Sequence, residues 1–422
     1  MGRSLTLRLH HLAVAVLVRA FGRRGRVARS FTEGPVVSLL LHSHGTGGAT
    51  RSVLSLLDEI ATHRQVHLVS IVRMQKRAEP HFPIPAGLRL TILDDKRRHR
   101  SILVRALDKV PSVLMHPDDD FYRWFSLRTD ALLVRQIRRV RSGVLMTSRP
   151  AVSALAARIA RPEVTVVIQE HTHLGALLGD LPATIPRAYA TADAVVLLTE
   201  RDRDQYASFL HGPLVTAIPN IVTRLAGEPA DDRRPVIVAA GRLTEQKGFD
   251  LLIRSFAQLA GRYPDWRVEI YGEGAADRDA LALQIDAAGL SGVVTLMGST
   301  QRIGEVLASS AIFALSSRWE GMPIVVLEAM SKGAAVVAFD CPTGPRELIH
   351  SGRDGLLVAA GDVDAFAAAL EQVMSDAELR QRLGAAAQET ARAYSPDVVG
   401  AQWLDLLDRL ASGTAERASG RN

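Results

Sequence analysis

Two successive series of short apolar segments, each alternating with helical patterns, constrain the fold of this chain more than any other feature. In the first series, strand patterns cover residues 36 to 41, 65 to 72, 88 to 93, 143 to 147, 164 to 169 and 194 to 198. In the second series, they cover residues 236 to 241, 267 to 271, 293 to 297, 311 to 315, 335 to 339 and 355 to 358. Such alternation is typical of parallel sheets covered by helices on both faces. We therefore expect an α/β protein with two Rossmann-like units.

The length of 422 residues exceeds the usual size of one hydrophobic core, so two domains are expected. We predict an N-terminal domain at residues 35 to 220, a C-terminal domain at 221 to 394, a last helix at 395 to 412 and a frayed polar tail at 413 to 422. The single cysteine, Cys341, provides no intrachain disulfide and is typical of a small buried filler, so a cytoplasmic location is expected.

One segment of the second series sets two carboxylates around a short helix. Pro323 suits the first helical position and Gly333 is a stop signal, which predicts a helix over residues 323 to 332. Glu320 then lies beside the free N–H groups of the helix N-terminus, which attract phosphate or ordered hydroxyls. Glu328 lies within the apolar helix, where an unpaired carboxylate is costly. From this segment alone, a ligand site and a simple pairing of Glu328 with an arginine both stay open.

Two cations follow the first strand pattern of the second series. Arg242 and Lys247 lie in a loop between the apolar run at residues 236 to 241 and a helical run that begins at Phe249. Ligands of open parallel sheets bind at the carboxyl ends of strands, and two cations at such an edge suit a diphosphate. An ordinary solvated loop is the alternative, and the nearby carboxylate helix makes it the weaker one.

These two segments resemble the retaining glycosyltransferases of family 4, within the glycosyl transferases group 1. The letters GR at 241 to 242 and KG at 247 to 248 are similar to the diphosphate clamp of that family, and Glu320 and Glu328 are similar to its pair of glutamates. The resemblance covers about residues 36 to 412 and is stronger after residue 218. It implies the GT-B architecture, in which two Rossmann-like domains with parallel sheets face a central cleft.

Three further segments carry the resemblance. The letters IPNIV at 218 to 222 are similar to the segment that enters the second domain, and YGEG at 271 to 274 to the glycine-rich turn after its second strand. The letters DCPTGPRELI at 340 to 349 are closest to members that modify cell-surface polymers such as teichoic acids. The resemblance therefore also suggests a cell-envelope substrate.

The resemblance implies a hexosyltransferase that moves a sugar from a nucleotide diphosphate sugar, with UDP favoured, to a hydroxyl acceptor such as a cell-envelope polymer or a lipid-linked glycan, with retention at the anomeric carbon. It implies that Arg242 and Lys247 neutralise the diphosphate, that Glu320 acts at the sugar and that His171 contacts the sugar or the acceptor. No metal and no other cofactor is implied. The remaining implied donor-binding residues are Gly47, Gly48, Gly272, Glu273, Ser299, Gly321, Met322, Pro323, Ile324 and Glu328.

Three other patterns suggest sites less strongly. The turn GTGG at 45 to 48 lacks the third glycine spacing of a dinucleotide fingerprint. His171 and His173 follow one strand pattern, but no third ligand supports a zinc site. The run DDD at 118 to 120 resembles the metal-binding carboxylates of the other main glycosyltransferase fold, GT-A, yet a solvated charge cluster is favoured because no apolar strand precedes it.

The net positive charge is concentrated at the N-terminus. Residues 1 to 34 hold seven arginines against Glu33, so the rest of the chain is formally neutral and no global nucleic-acid footprint is expected. Residues 5 to 21 are apolar but contain Arg8, His10 and His11. This basic extension is predicted to lie on the anionic inner face of a membrane, with a secretory signal and a disordered extension as alternatives. No apolar run approaches the roughly 20 residues needed to span a bilayer, so an integral membrane protein is not expected.

The basic runs at 96 to 100 and 135 to 141 suit either solvated faces or attraction of an anionic acceptor or lipid head groups. Two alternative functions also stay open: a GT-B nucleotide-sugar epimerase, and a non-catalytic protein that binds nucleotide sugars. A Rossmann dehydrogenase is disfavoured because no dinucleotide fingerprint with its acidic follower is found.

Overall fold

The computed structural model describes residues 3–22, 34–45, 47–74, 79–230 and 232–412. The described chain forms two compact units: residues up to Ile218 together with those from Gly400 onward, and Pro219–Val399. Two parts of the predictions lie outside the described residues: the tail at 413 to 422 and the arginines of the basic extension at Arg23, Arg24, Arg26 and Arg29.

The first unit is built on a parallel sheet. Its strands are β1 (Val36–Leu40), β2 (Val66–Arg73), β3 (Arg89–Asp95), β4 (Val144–Thr147), β5 (Thr165–Gln169), β6 (Ala194–Leu197) and β7 (Leu214–Ala217). They lie in the order β3-β2-β1-β4-β5-β6-β7, and β1 pairs with both β2 and β4 from Val36 onward. Every residue of β1, β4, β5 and β6 is buried, as expected for a sheet covered on both faces.

Helices cover this sheet. They are α1 (Arg3–Phe21), α2 (Gly48–Ala61), α3 (Ile102–Lys109), α4 (Leu127–Arg139), α5 (Pro150–Ile159), α6 (Leu181–Tyr189) and α7 (Glu200–Ala207). Helix α4 begins at a capping box between Ser126 and Thr129, and α7 begins at Thr199, whose hydroxyl accepts from Asp202 N–H. These caps stabilise two helices whose sequences are strongly polar.

The second unit repeats the architecture with six strands. They are β8 (Arg234–Ala240), β9 (Arg267–Tyr271), β10 (Val294–Gly298), β11 (Ser310–Leu315), β12 (Ala335–Asp340) and β13 (Leu356–Ala359), in the order β10-β9-β8-β11-β12-β13. Its helices are α8 (Phe249–Ala257), α9 (Ala275–Ala287), α10 (Ile303–Ser309), α11 (Ile324–Ser331), α12 (Pro345–Leu348), α13 (Val363–Ser375) and α14 (Ala377–Arg392). All the strand pairs are parallel.

Each sheet reverses its strand order beside its first strand. In the first unit the reversal falls between β1 and β4, and in the second it falls between β8 and β11. At such a switch point the neighbouring connections leave toward opposite faces, which opens a crevice at the carboxyl ends of the two strands. The topology therefore marks the loops after β1, β4, β8 and β11 as ligand-binding positions.

The last helix, α15 (Pro396–Ser412), contributes its residues from Gly400 onward to the first unit. Trp403 is fully buried, and Asp408 forms an ion pair with Arg64. A side chain at Gly400 would place its Cβ 2.4 Å from Cγ of Glu59 in α2, so a larger residue there would require the Glu59 side chain to move.

The N-terminal helix α1 differs from one expectation. His10 and Val14 are buried, and the Arg3 guanidinium binds both oxygens of the Asp118 carboxylate. By length and composition, α1 is the one helix in the described residues that could cross a membrane, although a signal sequence would pass the same test. The expectation that no segment is long enough was therefore wrong. It counted uninterrupted apolar runs, whereas a helix can carry two or three polar residues and remain apolar on average.

The solvated cluster expected at residues 118 to 120 is also corrected. Asp119 is buried and accepts hydrogen bonds of 2.9 and 3.0 Å from Nε of Arg149, while Asp118 binds Arg3 and the backbone N–H of Asp180. Only Asp120 is exposed. Two of these carboxylates therefore tie chain segments together, and they do so through partners that are distant in sequence.

Candidate functional site

The predicted residues of the second unit converge at one edge of its sheet. Arg242 and Lys247 follow β8, Gly272 and Glu273 follow β9, and Ser299 follows β10. Glu320 to Pro323 lie between β11 and α11, which begins at Ile324. These four strands are neighbours in the order β10-β9-β8-β11. The loops after β8 and β11 flank the switch point, so the sheet itself brings the cations of one loop to the carboxylate of the other.

An ion pair joins the two sides of the switch point. Nζ of Lys247 lies 2.6 Å from Oε1 of Glu320, and the same oxygen accepts a 2.6 Å hydrogen bond from the Ser317 hydroxyl. Both charged side chains are largely buried, so the pair is only weakly screened by solvent. Lys247 retains two further N–H donors, and Oε2 of Glu320 takes part in neither of these bonds. The pair can therefore hold a ligand without being broken.

The backbone around Lys247 is fixed. Gly248 has a left-handed conformation with φ of 60°, and a Cβ there would lie 2.1 Å from the Ser316 carbonyl oxygen. The Ser316 hydroxyl donates a 3.0 Å hydrogen bond to the Lys247 carbonyl oxygen. Only glycine suits both the conformation and the close approach, so Gly248 sets the position of the lysine beside β11.

Backbone hydrogen bonds connect the loops after β8, β9 and β10. Gly241 N–H donates to the Tyr271 carbonyl, and Gly272 N–H donates to the Gly298 carbonyl, both at 2.9 Å. A Cβ at Gly272 would lie 1.7 Å from the Gly241 carbonyl oxygen. The three loops therefore form a rigid floor that only a glycine at 272 permits.

The other predicted contacts of this floor are exposed. The Arg242 side chain is exposed and donates weakly, at 3.4 Å, to Gln246. The exposed Ser299 hydroxyl donates a 2.6 Å hydrogen bond to Oε1 of Glu273. These side chains are available to a ligand on the floor.

The segment before α11 is held by the loop after β12. Glu320 N–H donates to the Pro342 carbonyl at 2.6 Å, and Thr343 N–H donates to the Glu320 carbonyl at 2.9 Å. Pro323 is the N-cap residue of α11 and Ile324 is its first residue, so the prediction of Pro323 as the first helical residue was wrong by one position. The reason is that the ψ of Pro323, 100°, is extended, although its fixed φ is compatible with a helix.

The remaining predicted residues here are mostly buried. Met322 accepts a hydrogen bond on its carbonyl from the Asn220 amide at 3.2 Å, and a Cβ at Gly344 would lie 2.2 Å from the Gly321 carbonyl oxygen. Glu328 is buried in the second turn of α11. Cys341 is also buried, as predicted, and burial raises the pKa of its thiol to about 12.

The first unit has its own polar edge, at the carboxyl ends of β1 and β5. Gly47 is the N-cap of α2 and Gly48 is its first residue. Among the described residues, no atom would lie within 4 Å of a Cβ at Gly47. The rings of His42 and His44 stack with centroids 6.0 Å apart, and burial lowers the pKa of His44 to about 4. This turn is open to solvent on its glycine side.

Glu170 and His171 directly follow β5. Burial lowers the pKa of His171 to about 4, so its imidazole is neutral at pH 7. Glu170 is buried, accepts a hydrogen bond from the Tyr189 hydroxyl, and has its pKa raised by burial to about 8. A glutamate at the end of an apolar strand pattern was the available signal. Its buried partner Tyr189, on α6, is contributed by the tertiary structure.

Nδ1 of His173 accepts a hydrogen bond from Gly175 N–H at 3.1 Å and so stabilises a local turn.

Three other histidines lie close together at a place that the sequence did not indicate. In the described residues, one group of imidazoles is close enough to share an ion: His10, His11 and His116, with ring nitrogens within 4.8 Å of one another. Nδ1 of His116 accepts from Asp118 N–H at 3.2 Å, so in its neutral form the proton lies on Nε2, where a metal would have to bind. The group is therefore a poor metal site as it stands.

Residues 224–390 match the family described as Glycosyl transferases group 1. The structure superposes on that of S. aureus TarM, in complex with UDP and sugar ligands, with a TM-score of 0.73 and 14% identity, covering 89% of this chain and 99% of that one. The chain has the GT-B fold. The fold expected from the sequence is thereby confirmed.

Two curated relatives match longer parts of the chain than the family model does. An exopolysaccharide phosphotransferase of Streptomyces coelicolor is 30% identical over 89% of this chain and 41% of its own length. An amylovoran biosynthesis glycosyltransferase of Erwinia amylovora is 30% identical over 52% of this chain and 63% of its own length. The chain thus spans less than two thirds of the length of these relatives. The family match therefore concerns residues 224–390, and the likeness to the solved structures concerns the fold.

Proposed function

We propose that this protein is a retaining glycosyltransferase of family 4 that moves a hexose from a nucleotide diphosphate sugar, UDP-linked by preference, to a hydroxyl of a cell-envelope polymer or a lipid-linked glycan. The Lys247–Glu320 ion pair at the switch point of the second sheet carries this proposal. It lies within the residues that match the glycosyltransferase family. A cation and a carboxylate held side by side suit a ligand whose phosphate is bonded directly to a sugar.

Lys247 and Glu320 would act on different parts of the donor, the diphosphate and the sugar. Lys247 and the exposed Arg242 would bind the diphosphate and stabilise the negative charge that develops as the anomeric carbon–oxygen bond lengthens. Glu320 would accept hydrogen bonds from sugar hydroxyls through Oε2, while its bond to Lys247 through Oε1 keeps the ammonium in place. No step of this scheme is routed through a metal or a cofactor.

Neighbouring groups would fix the rest of the donor. Glu328 would bind the ribose hydroxyls, while the Glu273–Ser299 pair and the backbone at Gly272 would border the base. The N–H groups between Gly321 and Ile324 would assist at the sugar. In a retaining reaction without a protein nucleophile, the acceptor hydroxyl attacks the face that the diphosphate leaves, and its proton passes to the leaving phosphate oxygen.

The first unit would receive the acceptor. The neutral imidazole of His171 can donate or accept a hydrogen bond at a sugar hydroxyl, and the open turn at Gly47 and Gly48 leaves room for a ligand to approach the backbone. We place the protein in the cytoplasm, on the inner face of the membrane through residues 1 to 34. This placement is supported by a row of exposed apolar residues along α1, with Leu5, Leu9, Leu12 and Val16 on one side.

The nucleotide class can be tested by thermal unfolding with saturating UDP, GDP, ADP and NAD. A ligand at about 100 times its dissociation constant adds roughly 2.7 kcal/mol of stability, a shift of a few degrees. We expect a shift with UDP that is lost in Arg242→Ala, whose exposed side chain is not needed for folding. If none of the four ligands shifts the transition, the catalytic proposal fails and a scaffolding role becomes the better explanation.

Transfer of a sugar phosphate is a second candidate, because a relative that matches 89% of this chain is named an exopolysaccharide phosphotransferase. The products distinguish the two reactions. Hexosyl transfer breaks the anomeric carbon–oxygen bond and releases UDP, whereas sugar-phosphate transfer breaks the diphosphate and releases UMP. Release of UDP with an acceptor that gains a hexose supports the main proposal. Release of UMP would replace it, and a changed sugar with no acceptor would indicate an epimerase.

A further inference from the structure

Helix α3 presents its apolar side chains to solvent. Ile102 and Leu103 are 85% and 80% exposed, and Leu107 and Val110 are 44% and 43% exposed. No residue of this helix is buried. A short helix gains most of its stability by packing its apolar face against other groups. Because α3 packs its polar face and exposes its apolar face, another molecule is expected to cover the apolar face.

The exposed residues form one face. At about 100° per residue, Ile102, Leu103, Leu107 and Val110 fall within an arc of about 140°, together with Ala106. Val104 and Asp108 lie on the opposite side and are partly buried, and α3 packs next to α4. The helix is thus amphipathic, but it exposes its apolar face to solvent, whereas a helix packed on a hydrophobic core buries that face.

The negatively charged side chains near this face are buried or nearly buried. Asp94, Asp95 and Asp108 have side-chain exposures of 0%, 9% and 16%. They are held inward by ion pairs with Lys96, Arg97, Arg100 and Arg128.

The cations of the same segment point outward. Arg98, Arg105 and Lys109 are exposed, and Arg105 and Lys109 lie at one border of the apolar arc. Asp108 is the one carboxylate in residues 96 to 110, and it faces inward. Within residues 96 to 110, the outward-facing charges are therefore all positive.

We propose that α3 docks on an anionic lipid bilayer, with Ile102, Leu103, Leu107 and Val110 among the acyl chains and with Arg98, Arg105 and Lys109 against the head groups. An apolar face bordered by cations is the arrangement that favours insertion at an anionic interface. A protein partner or a second copy would also cover apolar side chains, but the exposed charge of this segment matches a negatively charged surface. The proposal is separate from the contact made by α1 and does not depend on which sugar is transferred.

Insertion can be measured at α3 itself. Cys341 is buried, so a cysteine introduced by Leu103→Cys can be labelled selectively with a polarity-sensitive nitrobenzoxadiazole fluorophore on the full-length protein. We expect brighter and blue-shifted emission with vesicles of phosphatidylcholine and phosphatidylglycerol in equal amounts, and little change with phosphatidylcholine alone. Because the label sits on α3, a membrane contact made by α1 cannot produce this signal by tethering alone.

Leu283→Cys is the matched control, because Leu283 is 70% exposed on α9 of the second unit. Its label should respond to neither kind of vesicle. Equal responses at positions 103 and 283 would mean non-specific adsorption and would overturn the proposal. An unchanged spectrum at position 103 while the protein sediments with the vesicles would overturn it as well, since α3 would then remain in water.

Binding should also weaken when the face is changed. The double variant Ile102→Ser, Leu103→Ser should bind mixed vesicles at least about tenfold less well, because two large side chains no longer leave water. Arg105→Gln with Lys109→Gln should weaken binding and reduce its dependence on salt. If instead the serine variant binds vesicles normally but changes from dimer to monomer in size-exclusion chromatography, the face is an interface between copies and the lipid proposal is wrong.

Discussion

The two units share one architecture but carry their functional information in different ways. In the second unit, the polar groups are concentrated at the switch point, where glycines and backbone hydrogen bonds fix Lys247 against Glu320. In the first unit, the corresponding turn at Gly47 is open, and the distinctive features lie in buried histidines and exposed apolar helices. Under the proposed function, the fixed charges of the second unit would bind the donor, whereas the surfaces of the first unit would face the acceptor and the membrane.

The distribution of histidines also differs between the two units. Of the thirteen histidines, only His350 lies in the second unit. Burial lowers the pKa of His10, His44 and His171 in the first unit to about 4. The first unit is therefore expected to respond to acid through neutral imidazoles, and the second to respond to nucleotide through fixed charges.

The largest effect is expected at the second unit. Lys247→Ala should reduce turnover by about 10²- to 10³-fold, because it removes a cation from the position where charge develops. Turnover is measured as nucleotide release per folded molecule. Arg302→Ala, on an exposed arginine of the same unit that pairs with Glu305, serves as the control and should be nearly neutral. Unchanged turnover in correctly folded Lys247→Ala would remove the charge-stabilising role.

Acid should destabilise the protein through His10. Its pKa is about 4 in the folded state because it is buried, against about 6.5 when unfolded, so the unfolded state binds more protons between these values. The stability contributed by neutral His10 is complete above pH 6.5 and is lost as the pH falls toward 4, by about 2 kcal/mol at pH 5.

The contribution of His10 to the pH dependence of stability can be isolated with His10→Asn, which keeps a side-chain donor for the Val113 carbonyl. Urea unfolding of both proteins from pH 7 to pH 5 should show a smaller loss of stability in the variant, by about 2 kcal/mol. The comparison between variants is needed because Glu170, whose pKa is raised by burial to about 8, acts in the opposite direction. Parallel pH profiles for the two proteins would exclude the role of His10.

A smaller effect is expected at the ribose. Glu328→Gln should weaken UDP binding by about tenfold, since a charged acceptor of two hydroxyl hydrogen bonds becomes a neutral amide. The dissociation constant is measured by calorimetry. Glu389→Gln, on the exposed surface of α14, is the control. A dissociation constant that stays the same in Glu328→Gln would argue decisively against a ribose contact.

The smallest change in stability is expected at the open turn of the first unit. Gly47 has an ordinary φ of −78°, and its Cβ position is open, so Gly47→Ala should lower the free energy of unfolding only by about 0.5 to 1 kcal/mol, the cost of alanine at the N-cap of α2. Any fall in turnover would then report a ligand that approaches the turn. Normal turnover in Gly47→Ala would show that this turn takes no part in the reaction.

By contrast, Gly272→Ala should disrupt the floor that the loops after β8, β9 and β10 form in the second unit.

The strands were largely predictable from the sequence, and the exposed elements were not. The apolar run at residues 267 to 271 matches β9 residue for residue, and the other predicted strands agree within one or two residues. Strand β7 and helix α3 were not predicted, because the residues of β7 are only partly buried and the apolar face of α3 does not join a core. Hydrophobic periodicity detects an element when burial of its apolar residues is what stabilises it.

The candidate site follows the same rule. Spacing within single segments predicted Arg242, Lys247, Glu320 and Glu328, because each lies next to a strand end or within a helix that the pattern defines. The contribution of Ser317 to Glu320 and the pairing of Glu170 with Tyr189 could not be predicted. These contacts depend on the exact orientation of side chains around a strand end, which local sequence patterns do not specify.

The sequence by itself determined the two βα series, the division into two units and the loops that hold charged residues at strand ends, since apolar periodicity and turn residues act locally. The tertiary structure alone decided that Lys247 meets Glu320, which is 73 residues further along, and that Asp118 and Asp119 are paired rather than solvated. It also decided that the apolar face of α3 points to water. Such outcomes depend on which strands become neighbours and which surfaces they leave uncovered, and these follow from the packing of the whole chain.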